Sequence, residues 1–268
     1  MTAVAALGPR HHEVKRLRAL LRDRRARAEA GAFVLEGPRL VADALRRGAP
    51  VERLYLGPDA ERAFGPMVAA ARAAGVAVAA LKEGVLEKLG STRTPQPVLA
   101  IAPMPASVSL AALDGPGPVL VAVGVADPGN LGTLVRSAEA AGVAGVVVCG
   151  GAVDVWSPKV VRAAAGSVFG VPLVSAADAA AVLDALRARG RRIYGTVATG
   201  GVACFEADLA GPIALVVGSE AHGVPPLLGA MLDERLTIPM VGAAESLNVA
   251  VAGSVLLFEA TRQRVAKR

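Results

Sequence analysis

Two short apolar runs near the end of the chain, Ile213–Val217 and residues 236–238, each lead into a loop rich in small and polar residues. The second loop feeds an apolar helix that the pattern predicts over about 247–261, with Ser246 near its N-terminal cap. Short buried strands that open into polar loops are the usual ligand site of an α/β sheet. We therefore expect much of the chemistry of this chain in these loops.

Strand-like runs alternate with helical patterns along the rest of the chain. Before the middle of the chain, the pattern predicts strands at 32–37, 51–57, 76–81 and 97–103, with helices over 13–30, 38–47, 60–74 and 83–89. Further on, it predicts strands at 119–125 and 145–150 and within 157–174 and 191–201, with helices over 131–142, from Ser157, and over 178–189. The run at 119–125 is almost continuously apolar, which is typical of a parallel sheet covered on both faces. The fold class is therefore α/β.

A proline-rich segment divides the chain. Residues 103–118 hold four prolines and no clear hydrophobic period, so we assign 105–117 as a linker between a domain at 1–104 and a domain at 118–268. The charge balance changes at the same place. Residues 1–106 carry 17 Lys and Arg against 10 Asp and Glu, a net of +7, whereas residues 107–268 carry 12 against 13, a net of −1.

The positive charge is densest in residues 15–27, where Asp23 is the single acid among seven basic residues: Lys15, Arg16, Arg18, Arg22, Arg24, Arg25 and Arg27. A basic patch of this kind favours a polyanionic partner, most often nucleic acid. A solvated helix face in an arginine-rich chain is the alternative.

Several classes of protein are disfavoured. No apolar run approaches the roughly 18 residues of a membrane helix, and the N-terminal apolar segment is too short for a secretory signal. Cys149 and Cys204 form no metal or redox motif. The first strand of the second domain has no GxGxxG after it, which argues against a nicotinamide-dependent oxidoreductase. We expect a cytoplasmic protein with no membrane partner and no metal.

The first candidate motif spans residues 127–142. Asn130 and Gly132 stand where a strand turns into a helix, so backbone N–H groups are free there. Arg136 lies further into the helix and could pair with Glu139. The small and apolar residues around it indicate instead a mostly buried helix, in which a guanidinium needs an anionic partner such as a bound ligand.

The second motif spans residues 216–224, where Gly218 and Gly223 bracket Ser219, Glu220 and His222. Glycines permit a ligand to approach the backbone, although a tight turn explains them equally well. His222 beside a carboxylate suggests acid–base chemistry, but a lone histidine of this kind is more often incidental.

The third motif spans residues 238–254, where Ser246 and Asn248 bracket Leu247 at the start of a helix. A capping serine followed by a first-turn asparagine is the structural alternative to a ligand site. Each of the three motifs is weak when taken alone.

Their order and spacing together resemble the SpoU (TrmH-type) RNA ribose 2′-O-methyltransferases of the SPOUT superfamily. The resemblance runs over about 119–262 and rests on N-x-G-x-x-x-R-x-x-x-x-x-G from Asn130, G-S-E-x-x-G from Gly218, and I-P-M from Ile238 followed by S-L-N-V from Ser246. Residues 14–40 are also similar to the L30e-type substrate-binding domain that many members carry. One position departs from the pattern, because Ala164 stands where many members have serine.

The resemblance implies a C-terminal SPOUT fold with a parallel sheet and a deep trefoil knot, plus a small N-terminal L30e-like α/β domain. Knots are rare exceptions to the usual topology rules. It also implies a homodimer with its sites at the interface, and S-adenosyl-L-methionine as the cofactor. The matching cofactor positions are Gly218, Ile238, Leu247, Thr196, Val197, Ala198, Ser219 and Met240.

The resemblance assigns catalysis to Arg136, whose guanidinium could orient a ribose 2′-hydroxyl and stabilise the developing alkoxide. Asn130, Glu220, Ser246 and Asn248 would position that arginine and the ribose. It implies RNA as the substrate, most of all large-subunit (23S) ribosomal RNA, with Arg16, Arg27 and Arg39 as contacts. Transfer RNA is the alternative substrate. A catalytically silent RNA-binding module is the alternative class of protein, against which the presence of all five site residues argues.

Overall fold

The computed structural model describes residues 6–89, 95–106, 108–150 and 153–267. Contacts divide this chain into two compact units. Unit 1 runs to Pro105 and takes in the short segment Trp156–Arg162, and unit 2 holds the remainder. Within unit 1, the ring of Trp156 lies 4.9 Å from that of Phe33, and Arg162 forms an ion pair with Glu36.

Unit 1 is a four-stranded sheet with helices. Its elements are α1 (His12–Arg22), α2 (Arg24–Ala30), β1 (Ala32–Glu36), α3 (Pro38–Arg46), β2 (Arg53–Leu56), α4 (Ala60–Ala63), α5 (Gly65–Ala73), β3 (Ala77–Ala80), α6 (Val85–Leu89) and β4 (Val98–Pro103). The strand order is β1-β4-β2-β3, in which β4 is antiparallel to both of its neighbours and β3 is parallel to β2. The four predicted strands are confirmed.

Two of the predicted helices of unit 1 are each broken into two, so the expectation of single helices over 13–30 and 60–74 is wrong. Asp23 leaves the helical conformation with φ −119° and ψ 119°, and its carboxylate accepts a hydrogen bond of 2.8 Å from the amide of Arg25. The aspartate therefore ends α1 and caps α2, as short polar side chains favour. Phe64 makes the corresponding break between α4 and α5.

The chain after Pro105 alternates strands and helices. It contains a 3₁₀ turn (Leu110–Leu113), β5 (Val119–Val123), α7 (Pro128–Ala140), β6 (Gly145–Cys149), α8 (Pro158–Ala164), a second 3₁₀ turn (Ser167–Phe169), β7 (Leu173–Ala176), α9 (Ala179–Ala188), β8 (Arg192–Thr196), β9 (Val202–Ala203), β10 (Ile213–Val217), α10 (Pro226–Gly229), β11 (Glu234–Thr237) and α11 (Val249–Ala266).

Seven of these strands form one sheet in the order β7-β6-β5-β10-β8-β11-β9, and every neighbouring pair is parallel. All residues of β5, β6 and β10 are buried. The predicted parallel α/β sheet is confirmed, and the knot stays a prediction. Because the strands are parallel, the loops after β5, β8, β10 and β11 all leave the same edge of the sheet.

Helices α7 and α11 pack side by side in unit 2. The hydroxyls of Ser137 and Ser254 lie 2.7 Å apart, and the Thr261 hydroxyl donates a hydrogen bond of 2.8 Å to the carbonyl of Ala141. A Cβ atom at Gly253 would fall 2.5 Å from the Leu134 side chain, so this close approach needs glycine. Since the contacts advance in the same direction along both helices, their N-termini lie together.

The second half of the predicted linker packs on unit 2. Leu113 is fully buried. The buried guanidinium of Arg191 donates hydrogen bonds of 2.8 Å to the carbonyls of both Gly115 and Gly117, and it also reaches those of Leu113 and Ile213. Nothing in the sequence signals this role for Arg191, since an arginine beside a strand is usually exposed.

Candidate active site

A cavity of about 630 Å³ lies at the edge of the seven-stranded sheet where β8, β10 and β11 end. Its volume is in the range of small-molecule sites. Residues 218–224 form one wall, and the first part of α11 forms another. All eight predicted cofactor residues line it: Thr196, Val197, Ala198, Gly218, Ser219, Ile238, Met240 and Leu247. Their roles stay predictions, but the fold brings residues from four separate segments to one cavity.

The loop after β10 is closed on itself. The amide of Ser219 donates to the carbonyl of Gly223 at 3.0 Å, and the amide of Gly223 donates back at 2.9 Å. Gly223 has a φ of 65°, which favours glycine. A Cβ atom at Gly218 would fall 1.8 Å from the carbonyl carbon of Gly223. Gly218 is therefore required by the loop, and its bare backbone faces the cavity.

Three predicted catalytic side chains form one hydrogen-bonded chain beside this cavity. The Asn248 Nδ2 group donates to Oδ1 of Asn130 at 3.0 Å, and the Asn130 Nδ2 group donates to Oε1 of Glu220 at 2.8 Å. Glu220 and Asn248 also line the cavity. The structure therefore joins the starts of α7 and α11 to the loop after β10.

Backbone groups fix the direction of this chain at both ends. At one end, Oδ1 of Asn248 accepts from the amide of Ala250 at 2.9 Å, so its Nδ2 must point away towards Asn130. At the other end, Glu220 accepts from the amides of Ala126 and Asp127 at 3.1 and 3.3 Å. The expected cap Ser246 is wrong, because Asn248 caps α11.

The environment of Glu220 favours its ionised form. Partial burial raises the pKa of Glu220, but hydrogen bonds from Asn130 and from the amides of Glu220 itself, Ala126 and Asp127 outweigh it, so the pKa lies below the ordinary glutamate value. Glu220 is therefore a carboxylate at neutral pH. It acts as a fixed acceptor at the start of α7, where the helix dipole also favours negative charge.

Arg136 does not join these residues within its own chain. It is exposed on α7 and does not line the cavity, and in the part of the chain that the structure describes nothing pairs with it. The expectation that Arg136 is buried is therefore wrong, and so is the alternative of an ion pair with Glu139. The apolar residues around it, Leu134 and Val135, are buried on the other side of the helix.

Ser246 and His222 are both exposed and both line the cavity. The backbone amide of His222 donates to the Ser219 hydroxyl at 3.1 Å, whereas its ring forms no hydrogen bond with the described residues. The role of His222 stays a prediction.

The three predicted RNA contacts have different environments. Arg39 is exposed on the first turn of α3. Arg16 is paired with Glu52 at 2.8 Å. Arg27 is only 4% exposed and donates to the carbonyl of Leu20 at 2.6 Å. A buried guanidinium cannot reach a phosphate, so Arg27 must be withdrawn from the predicted RNA surface.

A group of possible metal ligands lies at the start of α1, where atoms of His11, His12 and Glu13 come within 4.8 Å of one another. Two of them are engaged. His11 Nδ1 accepts from the amide of Glu13 at 3.3 Å, and Glu13 forms an ion pair with Arg53. We assign no metal site to this group.

Comparison with known proteins identifies both parts of the chain. Residues 117–258 match the SpoU rRNA Methylase family, and residues 11–100 match the MRM3-like substrate binding domain. The chain belongs to the SpoU rRNA methylase family. The resemblance found in the three motifs is thereby confirmed.

Two curated relatives in the SpoU rRNA methylase family cover nearly the whole chain. The 23S rRNA (guanosine(2553)-2′-O)-methyltransferase RlmP of Bacillus subtilis is 33% identical over 89% of this chain and 92% of its own length. The 23S rRNA (uridine(2479)-2′-O)-methyltransferase of Streptomyces viridochromogenes is 34% identical over 99% of this chain and 95% of its own length.

Among solved structures, the SpoU methyltransferase AviRb from Streptomyces viridochromogenes superimposes with a TM-score of 0.86 at 32% identity. The match covers 97% of this chain and 100% of AviRb, which was crystallised in complex with the cofactor AdoMet. The SpoU fold is therefore shared across the full chain.

Proposed function

We propose that this chain transfers the methyl group of S-adenosyl-L-methionine (AdoMet) to a ribose 2′-hydroxyl of 23S ribosomal RNA. The observation that carries the proposal is the single cavity that collects all eight predicted cofactor residues beside the Asn130–Glu220–Asn248 chain. Two full-length relatives that are 23S rRNA 2′-O-methyltransferases support the substrate class. They act on a guanosine and a uridine, so the base is not fixed by the family.

The cavity suits a cofactor of the size of AdoMet. Apolar side chains of Leu236, Ile238 and Leu256 offer a surface for a flat purine, and the backbone at Gly218 is open to a ligand. The carboxylate of Glu245, an exposed residue in the same lining, suits a positively charged ligand. When bound, AdoMet supplies a methyl group already activated by its sulfonium.

The protein residues then have to present the ribose oxygen. A ribose 2′-hydroxyl is a poor nucleophile at neutral pH, and a guanidinium that binds the oxygen and an adjacent phosphate orients both and stabilises the charge that develops. We assign this role to Arg136. Ser246, an exposed residue of the cavity lining, positions the ribose. Asn130, Glu220 and Asn248 hold the start of α7, the helix that carries Arg136.

We propose that the active form is a homodimer. Helix α11 exposes Val251, Phe258 and Val265, which are 48, 50 and 64% accessible. Their spacing of seven residues places them on one side of the helix as an apolar stripe. None of the described helices could span a bilayer. A second copy of the chain is the occupant that we assign to the stripe, and it would also explain why Arg136 lies outside the cavity of its own chain.

We also propose a cytoplasmic location, where ribosomal RNA is found, and domain boundaries at 104 and 118. Because Arg191 holds the carbonyls of residues 113, 115 and 117, a protease of broad specificity should cut the linker before Leu110. First cleavage between 113 and 117 would contradict these boundaries.

The test is transfer of tritiated methyl from AdoMet to separated ribosomal and transfer RNA from one cell extract. The proposal predicts label in 23S rRNA and none in transfer RNA. Label in transfer RNA alone would establish the alternative substrate. AdoMet binding without label in either RNA would support a catalytically silent RNA-binding module instead.

A further inference from the structure

We propose that one side of helix α1 binds the phosphate backbone of double-stranded RNA through Lys15, Arg18 and Arg22, which we call the α1 ridge. This inference rests on the proposed function, because it assigns the surface by which the same enzyme holds its RNA. It replaces the buried Arg27 with residues that a polyanion can reach.

Most of the other basic residues in this stretch are already engaged. Arg16 is paired with Glu52 at 2.8 Å, and Arg25 with Glu29 at 2.7 Å. Arg27 is buried. The carboxylates beside Arg16 and Arg25 offset their positive charge locally, and the guanidinium of Arg27 is out of reach of a phosphate. The uncompensated positive charge of this stretch is therefore carried by a smaller set of residues.

The α1 ridge is that set. Its members are separated by three and four residues, which makes them neighbours along one side of the helix. Lys15 and Arg22 are exposed, and Arg18 is half-buried at the margin of the side that packs on the core through Val14, Leu17, Leu20 and Leu21. Lys15 and Arg18 form no ion pair with any residue that the structure describes.

Arg22 extends the ridge towards helix α6. Its guanidinium donates to the backbone carbonyl of Lys88 at 3.4 Å, a contact that leaves its charge uncompensated. The exposed residues Glu87 and Lys88 of α6 carry opposite charges, so this pair adds no net charge at this end.

The nearest acids in the sequence are directed elsewhere. Glu13 is paired with Arg53, and Asp23 caps α2 through the amide of Arg25. Like charges three and four residues apart destabilise a helix. The carboxylate of Asp23 keeps its charge beside Arg22, so the ridge holds three positive charges against one negative charge. This net excess of positive charge indicates a surface that an anionic ligand completes.

The surroundings favour a duplex over a single strand. Proteins that hold single-stranded RNA stack its bases on exposed aromatic side chains. In the described part of the chain, every exposed large apolar side chain lies in unit 2. Among the described aromatic side chains of unit 1, only that of His12, at the start of α1, is exposed. Because one ring offers little surface for stacking, the row of cations on α1 suits the regular phosphates of an A-form helix better than unstacked bases.

The test compares two triple variants of the full-length protein. One carries Lys15→Gln, Arg18→Gln and Arg22→Gln. The matched control carries Arg46→Gln, Arg62→Gln and Arg72→Gln, which removes the same charge from unit 1 at arginines that are paired with Asp43, Asp59 and Glu61.

Binding is measured over a series of salt concentrations with a labelled RNA duplex of about 20 base pairs, longer than the ~16 that a double-stranded RNA-binding domain spans. Each phosphate contact contributes about 0.9 to the slope of log Kd against log salt. The ridge variant should lower that slope by about 2 to 3 and weaken binding at least tenfold at about 0.1 M salt, and the control should change the slope by less than about 1.

The assignment of the α1 ridge would be wrong if both variants lost the same affinity for the duplex, or if the ridge variant lost none. If the ridge variant lost more affinity for a single strand of the same length than for the duplex, the assignment of the ridge to double-stranded RNA would be wrong. Methyl transfer by the wild type is measured in parallel. If the wild type transfers no methyl group but the slopes behave as predicted, the proposed function fails and the ridge stands. If methyl transfer proceeds and the ridge variant keeps the wild-type KM for RNA, the ridge fails alone.

Discussion

The side chain of Asn248 donates a hydrogen bond of 3.0 Å to the side chain of Asn130, 118 residues earlier in the chain. This bond joins the first turns of two parallel helices, α7 and α11, and Asn130 continues it to Glu220 in the loop that lines the cavity. The loop after β10 and the helix that carries Arg136 are thereby held in one arrangement. The first prediction tests this link.

Replacing Asn248 should separate its two tasks. Asn248→Ala removes the cap of α11 and the bond to Asn130, so it should lower the free energy of unfolding by about 1 kcal/mol and also lower methyl transfer. Asn248→Ser retains a capping hydroxyl but cannot reach Asn130 as an amide donor. It should recover most of the stability but not the activity, as denaturant unfolding and methyl transfer will show. Full activity in Asn248→Ser would mean that the bond to Asn130 is dispensable.

Gly218→Ala should abolish AdoMet binding. The added methyl would lie 1.8 Å from the carbonyl carbon of Gly223, so the loop that lines the cavity has to open. Overpacking of this kind typically costs about 1 to 3 kcal/mol. Gly211→Ala is the matched control, because nothing lies within 4 Å of its added methyl. Calorimetric titration with AdoMet should give wild-type affinity for the control only. Wild-type affinity in Gly218→Ala would show that the loop at Gly218 does not form part of the AdoMet site.

Arg136→Ala should slow methyl transfer about 10²- to 10³-fold, the usual effect of removing a group that stabilises developing negative charge. Because Arg136 is exposed and unpaired among the described residues, the melting temperature and AdoMet affinity should not change. Arg136→Lys should recover only part of the rate, since an ammonium cannot bind oxygen and phosphate in the same fork. Loss of AdoMet binding in Arg136→Ala would instead place the arginine at the cofactor.

Glu220 should make stability depend on pH in acid. Its pKa in the folded protein lies below the ordinary value, so its stabilising contribution is complete above about 4.3 and is lost as the pH falls through the folded-state pKa. The difference in free energy of unfolding between wild type and Glu220→Gln should thus be constant from about pH 7 to about pH 5 and shrink below that. Denaturant unfolding across this range measures it. If this difference in free energy of unfolding grew as the pH fell, the pKa of Glu220 would be raised in the folded protein rather than lowered.

Phe258→Glu should dissociate the proposed dimer, because it places a charge in the middle of the apolar stripe of α11. Light scattering should give a wild-type mass of about twice 27.0 kDa and a variant mass near 27.0 kDa. Phe205→Glu is the control, as this side chain is 58% exposed but lies outside the stripe. A wild-type mass of one chain would contradict the dimer.

The strands and the segments of the site were predictable from the sequence. Runs such as Val119–Val123 and Ile213–Val217 are apolar throughout because a parallel sheet buries both of their faces. The glycines and polar residues that follow them mark the loops of the cavity. Each of these motifs lies within about twenty residues, so it can be recognised from the local sequence alone.

The remaining features depend on contacts that are distant in the sequence or on competition between local signals. The pattern over 13–30 predicts one unbroken helix, because its spacing does not distinguish an acid on a basic helix from a cap. In the structure, the carboxylate of Asp23 caps α2. Asn248, rather than Ser246, caps α11, and its side chain also donates a hydrogen bond to Asn130, a contact that is distant in the sequence. Arg27 is buried and Arg136 is exposed because of the side of each helix that faces the core. The residue type alone does not predict that side for an arginine.

The most direct measurement is the chemical position of the transferred methyl group. 23S rRNA is incubated with tritiated AdoMet and either the wild type or Arg136→Ala, and then hydrolysed with alkali, which cannot cleave the chain beside a methylated 2′-oxygen. The account predicts that the wild type places its label in alkali-resistant dinucleotides and that Arg136→Ala leaves them almost unlabelled. Label released in mononucleotides would show methylation of a base and would contradict the central claim.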